Sequence, residues 1–215
     1  MQSPGTRRSQ GERSATSKQR LLTAAAAEFA ARGFAGANVD RIARAARVNK
    51  AMIYYHFTSK AALYREILRD MFEAVATRVA EAARAAVDPA DKVRAFVDAI
   101  AIEAEARPHF PPIWFREIAG GGAQLDDSTL VHMAGIIKSL GRILHEGQAA
   151  GRFQRVNPLL VHAGIVGPLL LFFASAPVRG RLARGGVPGA AAVSRDEVVA
   201  HVQRAALMAL EGRTA

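Results

Sequence analysis

The sequence predicts an all-α protein, with an N-terminal three-helix helix-turn-helix DNA-binding domain and a larger helical domain, about nine helices in all. From residue 18 onward apolar residues recur at helical spacing, and no stretch shows the alternation of a strand. Capping residues followed by proline mark several helix starts. The three-helix domain is expected at 18–64 and the larger domain at 65–215.

Positive charge is concentrated at the N-terminal end. The formal net charge is +10, and residues 1–64 hold 11 Lys and Arg against 3 Asp and Glu. The remainder holds 18 against 16, so the basic first third is expected to contact a polyanion. Residues 1–17 are interpreted as a disordered basic arm. Its Arg7, Arg8 and Arg13 either contact DNA or belong to an inert tail.

The composition disfavours several classes of enzyme. Cysteine is absent, which excludes disulfides, thiolate metal sites and a cysteine nucleophile. The chain also lacks the HExxH zinc motif, the GxxxxGK[ST] phosphate loop and the GxSxG elbow. We therefore expect no catalytic residue, no metal and no cofactor. A small helical enzyme remains the alternative from a different functional class.

The most informative stretch is 38–60, which reads as two short helices joined by a tight turn. Asn38 is expected to cap a helix over 39–46, and Asn49 caps the next. Ile53 and Phe57 lie one turn apart and face the small core. Tyr54 and Tyr55 are adjacent, so a helix cannot bury both in one core. This geometry places the second helix in a DNA major groove.

The outward side chains have the chemistry that such a role requires. A lysine reaches a guanine edge or a phosphate, and tyrosine hydroxyls bind phosphate oxygens. Asparagine and histidine can donate to phosphate, and a helix N-terminus favours an anion. The predicted DNA-binding residues are Asn38, Arg47, Asn49, Lys50, Ala51, Tyr54, Tyr55, His56 and Lys60. The likeliest base contacts by position come from the start of this helix, at residues 50, 51 and 54.

Residues 20–64 resemble the DNA-binding domain of the TetR family of transcriptional regulators. The resemblance is carried by Ala25-Ala26, Gly33-Phe34, Ile42-Ala43, Tyr54-Tyr55-His56-Phe57 and Ser59-Lys60. It implies a homodimer that binds a palindromic operator through its N-terminal helices and an effector through its C-terminal body. Arg47 stands where the family usually has glycine, and a positive φ there would cost about 1 kcal/mol. Ala51 and Ala61 also depart from the family pattern.

The larger domain is predicted as a series of capped helices. They are expected at about 59–86, 89–107, 113–119, 127–150, 158–176 and 197–210. Pro108, Pro111 and Pro112 are expected to break the chain, and residues 179–187 to form a loop. The segment 159–178 carries no charged residue and has about the length of a membrane span. Burial between helices or subunits is favoured over a membrane-tethered regulator.

The resemblance places dimerisation on the last two helices and an effector site in the helical body. A pocket between helices would use mainly apolar and aromatic residues, which favours a small hydrophobic or amphipathic effector. The candidate pocket residues are Phe96, Ile100, Phe110, Trp114, Phe115, His132, Met133, Ile137 and Phe172. Glu103, Arg116 and Glu117 are polar candidates for orienting a ligand. The sequence as a whole predicts a cytoplasmic repressor released by its effector, with an activator of the same fold as the alternative.

Overall fold

The computed structural model describes residues 10–212, with side chains described from residue 15 onward. Within that range the chain forms ten α-helices and no strand, so the all-α prediction is confirmed. The helices are α1 (Gln10–Gly36), α2 (Val39–Ala46), α3 (Ala51–His56), α4 (Lys60–Ala85), α5 (Pro89–Ala106), α6 (Phe110–Ala119), α7 (Asp127–Ala149), α8 (Pro158–Ala174), α9 (Ala176–Arg184) and α10 (Arg195–Glu211).

These helices divide into two compact units. The N-terminal unit comprises the residues up to Leu68 together with Ile113–Gln124. The C-terminal unit comprises Arg69–Pro112 and the residues from Leu125 onward. The sequence placed the division after residue 64 and did not assign the later segment to the first domain. Helix α4 therefore contributes its first turns to one unit and its remainder to the other.

The first helix begins earlier than the sequence predicts. Residues 10–17, expected to be part of a disordered arm, lie in α1, and Ser17 is buried. Arg7 and Arg8 lie outside the described residues, as does the side chain of Arg13. The regular turns of α1 are interrupted at Gly33, which has a φ of 68° and reverses the chain as predicted for a C-terminal cap.

The core of the N-terminal unit forms along one side of α1. Leu21, Ala25 and Phe29 are each completely buried and recur every fourth residue. The ring of Tyr64 in α4 meets the ring of Phe29 edge to face, with centroids 4.7 Å apart. Ile53 of α3 is also completely buried. Full burial of a leucine, isoleucine or phenylalanine side chain contributes about 1.5–3 kcal/mol, so this core fixes where α3 lies.

Helix α5 is central to the C-terminal unit, where it packs against α7, α8 and α10. Its Phe96 and Ile100 are almost fully buried. Predicted N-caps are confirmed at Asp88, whose side chain accepts from the Ala90 and Asp91 amides, and at Asn157, which accepts from Leu159. The predicted capping box at the start of α10 is also present, between Ser194 and Glu197.

Two boundary predictions in this region are wrong. Helix α6 begins at Phe110, because Pro111 and Pro112 occupy its first turn, where a missing N–H removes no helical hydrogen bond. Residues 179–187 were expected to form a loop, but Ala176–Arg184 form α9. The guanidinium of Arg179 lies 3.9 Å from the ring of Phe172 and donates to Ser175 Oγ at 2.9 Å, which anchors this extra helix to the end of α8.

The apolar segment at 159–178 is not one continuous helix. It includes α8 and the start of α9, which meet at a bend of 56°. Within the described part of the chain, no single helix has both the length and the hydropathy needed to span a bilayer, whereas the bent pair α8–α9 has them jointly.

Candidate nucleic-acid interface

Helix α2 is fixed at its start by the cap that the sequence predicts. Asn38 Oδ1 accepts from the backbone N–H groups of Asp40 at 2.7 Å and Arg41 at 3.4 Å. Glu28 of α1 accepts in turn from the Asn38 backbone N–H at 3.2 Å and from Arg41 Nε at 2.7 Å. The hydrogen bond from Arg41 is the main cause that lowers the pKa of Glu28. The carboxylate thus holds α2 against α1.

The turn between α2 and α3 is closed by Arg47. It adopts φ 55° and ψ 46°, the only positive φ of a residue other than glycine in the described range. Its N–H donates to Arg44 O at 3.1 Å, and the Val48 N–H donates to Ala43 O at 3.0 Å. These bonds satisfy carbonyls at the end of α2 and offset the cost of about 1 kcal/mol for the left-handed conformation.

Helix α3 has one buried and one exposed side, as predicted. Ile53 is fully buried and Phe57 is 6% exposed, whereas Tyr54 and Tyr55 are 51% and 72% exposed. Asn49 Oδ1 accepts from the Ala51 N–H at 2.9 Å, which confirms the predicted side-chain cap. We call the exposed residues Lys50, Ala51, Tyr54 and Tyr55 the outward face of α3. It combines two phenolic hydroxyls with a cation next to a helix N-terminus.

The cation of this face already has a partner within the chain. Lys50 Nζ lies 2.9 Å from a carboxylate oxygen of Asp40, in the first turn of α2. The hydrogen bond to Asp40 is the main cause that raises the pKa of Lys50. Both side chains are about half exposed, so solvent screens the pair strongly. For Lys50 to contact a phosphate or a guanine, it must exchange one acceptor for another.

Lys60, the cation at the start of α4, already has partners within the chain, and its predicted DNA contact stays a prediction. Its ammonium group donates to Phe34 O at 2.9 Å and Ala37 O at 3.2 Å, and it lies 4.7 Å from the centre of the Phe34 ring. Both carbonyls belong to the turn between α1 and α2. Two of the three ammonium donors therefore hold that turn, which no local sequence pattern could reveal.

His56 is also directed inward more than the sequence suggests. Its Nε2 lies 3.1 Å from Ser17 Oγ in α1, and the ring is half-buried. Burial, with a smaller contribution from the charge of Lys18, lowers the pKa of His56. One ring nitrogen thus joins α3 to α1. Arg44 and Arg47 remain exposed beside the turn.

The later segment of the N-terminal unit braces α1 and α4. Arg116 donates to Ala30 O and Ala31 O, both at 3.2 Å, and so satisfies carbonyls near the end of α1. The buried Glu117 accepts from Tyr64 Oη at 2.9 Å and from the Gln124 N–H at 2.7 Å. Burial and Glu117 raise the pKa of Tyr64. Arg116 and Glu117, which the sequence offered among the candidates for ligand orientation, are therefore engaged within this unit.

The candidate effector residues do not form one cluster. Phe96, Ile100 and Phe110 belong to the buried core of the C-terminal unit, whereas Trp114 and Phe115 belong to the N-terminal unit. The remaining four are half-buried on α7 or α8: His132, Met133, Ile137 and Phe172. Glu103 is buried and forms ion pairs with Arg78 and Arg107. A cavity in the C-terminal unit lies between α4 and α7 and is lined by other residues.

A capped helix, a tight turn and a second helix with an exposed basic and aromatic face together define a helix-turn-helix nucleic-acid-binding protein. Residues 21–67 match the family described as "Bacterial regulatory proteins, tetR family". This segment therefore carries the DNA-binding domain of that family, and the resemblance noted from its motifs is confirmed over these residues.

Named relatives agree with this assignment. The chain is 34% identical over 117 residues to the transcriptional repressor SCO4008 of Streptomyces coelicolor, covering 54% of this chain and 55% of that protein. It is 38% identical over 79 residues to the transcriptional activator FasR of Mycolicibacterium smegmatis, covering 37% and 36%. The matches therefore span about half of the first relative and about a third of the second.

A solved structure extends the likeness to most of the chain. The putative transcriptional regulator SCO4942 from Streptomyces coelicolor superimposes with a TM-score of 0.63 at 27% identity, covering 88% of this chain and 97% of that one. The resemblance thus includes the helical C-terminal part as well as the helix-turn-helix.

Proposed function

We propose that this protein is a one-component transcriptional regulator that binds operator DNA through the outward face of α3 and releases it when a small molecule binds the C-terminal unit. The single observation that carries the proposal is the arrangement of α3. Buried Ile53 anchors the helix, while Tyr54 and Tyr55 are largely exposed beside Lys50. Contiguous exposed aromatic side chains beside polar groups mark an interaction site.

Two α3 helices acting together would read a palindromic site, which requires a two-fold dimer. Helices α8 and α10 supply a suitable surface, because Leu160, Leu171 and Met208 are 73%, 59% and 40% exposed. A Cβ added at Gly164 or Gly167 of α8 would meet no atom within 4 Å. Such small residues on an exposed apolar face favour close packing against a helix of a second copy. We therefore place the dimer contact on α8 and α10.

Helix α4 is the proposed route between the two functions, because it runs from the N-terminal unit into the C-terminal unit. A ligand that binds one conformation better than the other shifts the population of DNA-competent dimers.

Repression is the preferred outcome, since SCO4008 is named a repressor. The second candidate function is activation, in which the same dimer activates transcription from a differently placed site. FasR, which is named an activator, supports this candidate. We propose that the protein has no catalytic role. We also propose that it acts in the cytoplasm, where operator DNA is located.

The DNA-binding part is tested by selecting fragments of the source organism's genome on the purified protein. We expect enrichment of an inverted repeat, and at least about a hundredfold weaker binding to it for Lys50→Ala combined with Tyr54→Ala, since each base contact is worth roughly 1–3 kcal/mol. Arg84→Ala, an exposed change in the C-terminal unit, is the matched control. No enriched sequence, or equal binding by the double variant and the wild type, would refute the proposal.

A reporter placed behind the selected site separates the two candidates. A repressor lowers expression relative to a strain lacking the protein, whereas an activator raises it.

A further inference from the structure

The C-terminal unit contains a cavity of about 760 Å³, widely open to solvent, between α4 and α7. Ala76 and Ala80 of α4 form one wall, and the opposite wall comes from one face of α7 between Gly135 and Glu146. A volume in this range is typical of small-molecule sites. The lining has two distinct parts. The small residues Ala76, Ala80 and Gly135 form what we call the apolar floor, and Lys138, Arg142 and His145 form what we call the rim.

Gly135 keeps the apolar floor open. It lies well inside α7, where glycine disfavours the helix relative to alanine. A Cβ added there would meet nothing within 4 Å, so packing does not require the glycine. Gly147 in the same helix is the opposite case, because its added Cβ would lie 2.0 Å from the ring of Phe153. A helical glycine without a packing reason, facing a cavity, indicates room kept for another molecule.

The rim carries positive charge that the chain does not neutralise. Lys138, Arg142 and His145 follow Gly135 at helical spacing and line the same cavity. Glu146 is the acidic residue in the lining, and its carboxylate lies 2.5 Å from Lys92 Nζ. Among the described residues, neither Lys138 nor Arg142 forms an ion pair. Two like charges one turn apart disfavour the helix unless an anion lies between them.

A buried hydroxyl lies beside these cations. Ser139 is 5% exposed, and its Oγ accepts from Arg142 Nη2 at 3.3 Å. No described residue accepts the hydroxyl proton of Ser139. The cavity thus offers an ammonium, a guanidinium and a free hydroxyl donor within one turn of α7, next to an apolar floor.

We propose that this cavity binds an amphipathic anion, with a carboxylate held by Lys138, Arg142 and the Ser139 hydroxyl, and an apolar chain or ring over Ala76, Ala80 and Gly135. As the effector site, this inference rests on the proposed function and names the chemical class of its ligand. It narrows the class expected from the sequence, which was a hydrophobic or amphipathic small molecule, to an amphipathic anion. A guanidinium beside a lysine suits a carboxylate, because both donate charge-assisted hydrogen bonds.

The charge requirement is tested by isothermal titration of the full-length protein with matched pairs of probes, below any micelle-forming concentration. The pairs are decanoate with 1-decanol, and 2-naphthoate with 2-naphthylmethanol. We expect at least one acid to bind at one molecule per chain and at least about tenfold more tightly than its alcohol. If neither acid binds, or if each alcohol binds as tightly as its acid, the proposal is overturned.

Variants locate the bound probe. Lys138→Gln combined with Arg142→Gln is expected to weaken the acid at least about tenfold and leave the alcohol unchanged. Arg84→Gln, another exposed cation of the same unit, is expected to change neither. Equal acid binding by the double variant and the wild type would place the ligand elsewhere and contradict the proposal.

Gly135 offers a second test that does not depend on charge. Gly135→Leu fills the floor and is expected to abolish binding of the acid while the melting temperature stays level or rises. Gly135→Ala adds one methyl group and is expected to retain binding. If Gly135→Leu changes the oligomeric state instead and leaves the acid bound, the cavity is a surface between copies and the proposal fails.

The ligand-binding tests of this cavity and the DNA-binding tests of the proposed function can fail independently of one another. If the acid binds at the cavity but leaves DNA affinity unchanged, the ligand site stands and the coupling to DNA fails. If selected DNA binds but no acid does, the regulator stands and this site fails.

Discussion

Two cations on or beside the outward face of α3 and two that line the α4–α7 cavity differ in what they already contact. In the N-terminal unit, Lys50 pairs with Asp40, and Lys60 donates to the turn between α1 and α2. In the C-terminal unit, Lys138 and Arg142 line a cavity without an acidic partner in the described residues. A high count of basic residues is therefore a poor guide to where an anion binds. The DNA-binding unit has committed part of its charge to its own structure, whereas the cavity has kept its charge available.

Among the substitutions considered below, that of Lys60 should have the greatest effect on stability. Lys60→Met removes both hydrogen bonds from the ammonium to the α1–α2 turn and should lower the free energy of unfolding of the N-terminal unit by about 2 kcal/mol. Thermal unfolding checks this. Arg44→Gln, an exposed cation on α2, is the matched control and should leave stability unchanged.

The salt dependence of DNA binding supplies the second half of that test. The slope of log affinity against log salt concentration counts contacts with phosphate. It should fall by about one for Arg44→Gln, if this exposed cation contacts a phosphate, and stay unchanged for correctly folded Lys60→Met. The reverse pattern would show that Lys60 contacts phosphate and that its internal bonds matter little.

A smaller effect is expected at Asp40, the partner of Lys50. Asp40→Asn removes a negative charge beside the outward face of α3 and frees the ammonium group. DNA affinity at low salt should rise a few-fold, with a steeper salt dependence, since one more phosphate contact is available. Asp91→Asn, which loses an exposed ion pair with Arg94 in the other unit, is the control. Weaker binding by Asp40→Asn would mean that the pair positions Lys50 and does not compete with DNA.

The smallest effect is a pH dependence from His56. Burial keeps the pKa of His56 below its unfolded value, which is about 6.5, so the unfolded chain takes up the proton more readily. The contribution of His56 to the free energy of unfolding is constant above that pH. It becomes destabilising as the pH falls below it. Unfolding titrations of the wild type and His56→Asn should therefore converge as the pH is lowered. A constant difference between the wild type and His56→Asn at every pH would contradict the assignment.

Local signals account for what the sequence predicted well. The caps at Asn38, Asp88 and Ser194 and the outward Tyr54 and Tyr55 depend on residues within a few positions of one another. The contact of Arg116 with α1 spans 86 residues in sequence, and that of Tyr64 with Glu117 spans 53. Neither leaves a periodic pattern, so the assignment of 113–124 to the N-terminal unit could not be predicted.

The effector residues predicted from the sequence differ from the lining of the cavity that we propose, for a related reason. Aromatic residues are as suitable for a core as for a pocket, and Phe96, Ile100 and Phe110 fill the core. The cavity is instead marked by small residues and cations on α7, which resemble a solvated helix face until the neighbouring α4 is known. Gly135 was the available signal, since an interior helical glycine is unfavourable without a reason.

The central claim is that the outward face of α3 enters the major groove of DNA at two half-sites. Methylation interference on the selected operator tests it most directly, because methyl groups at guanine N7 block the major groove and those at adenine N3 block the minor groove. We predict interference at guanines in two clusters spaced by a whole number of helical turns, of about 10–10.5 base pairs each. Interference confined to adenine N3, or found in a single cluster, would contradict the account.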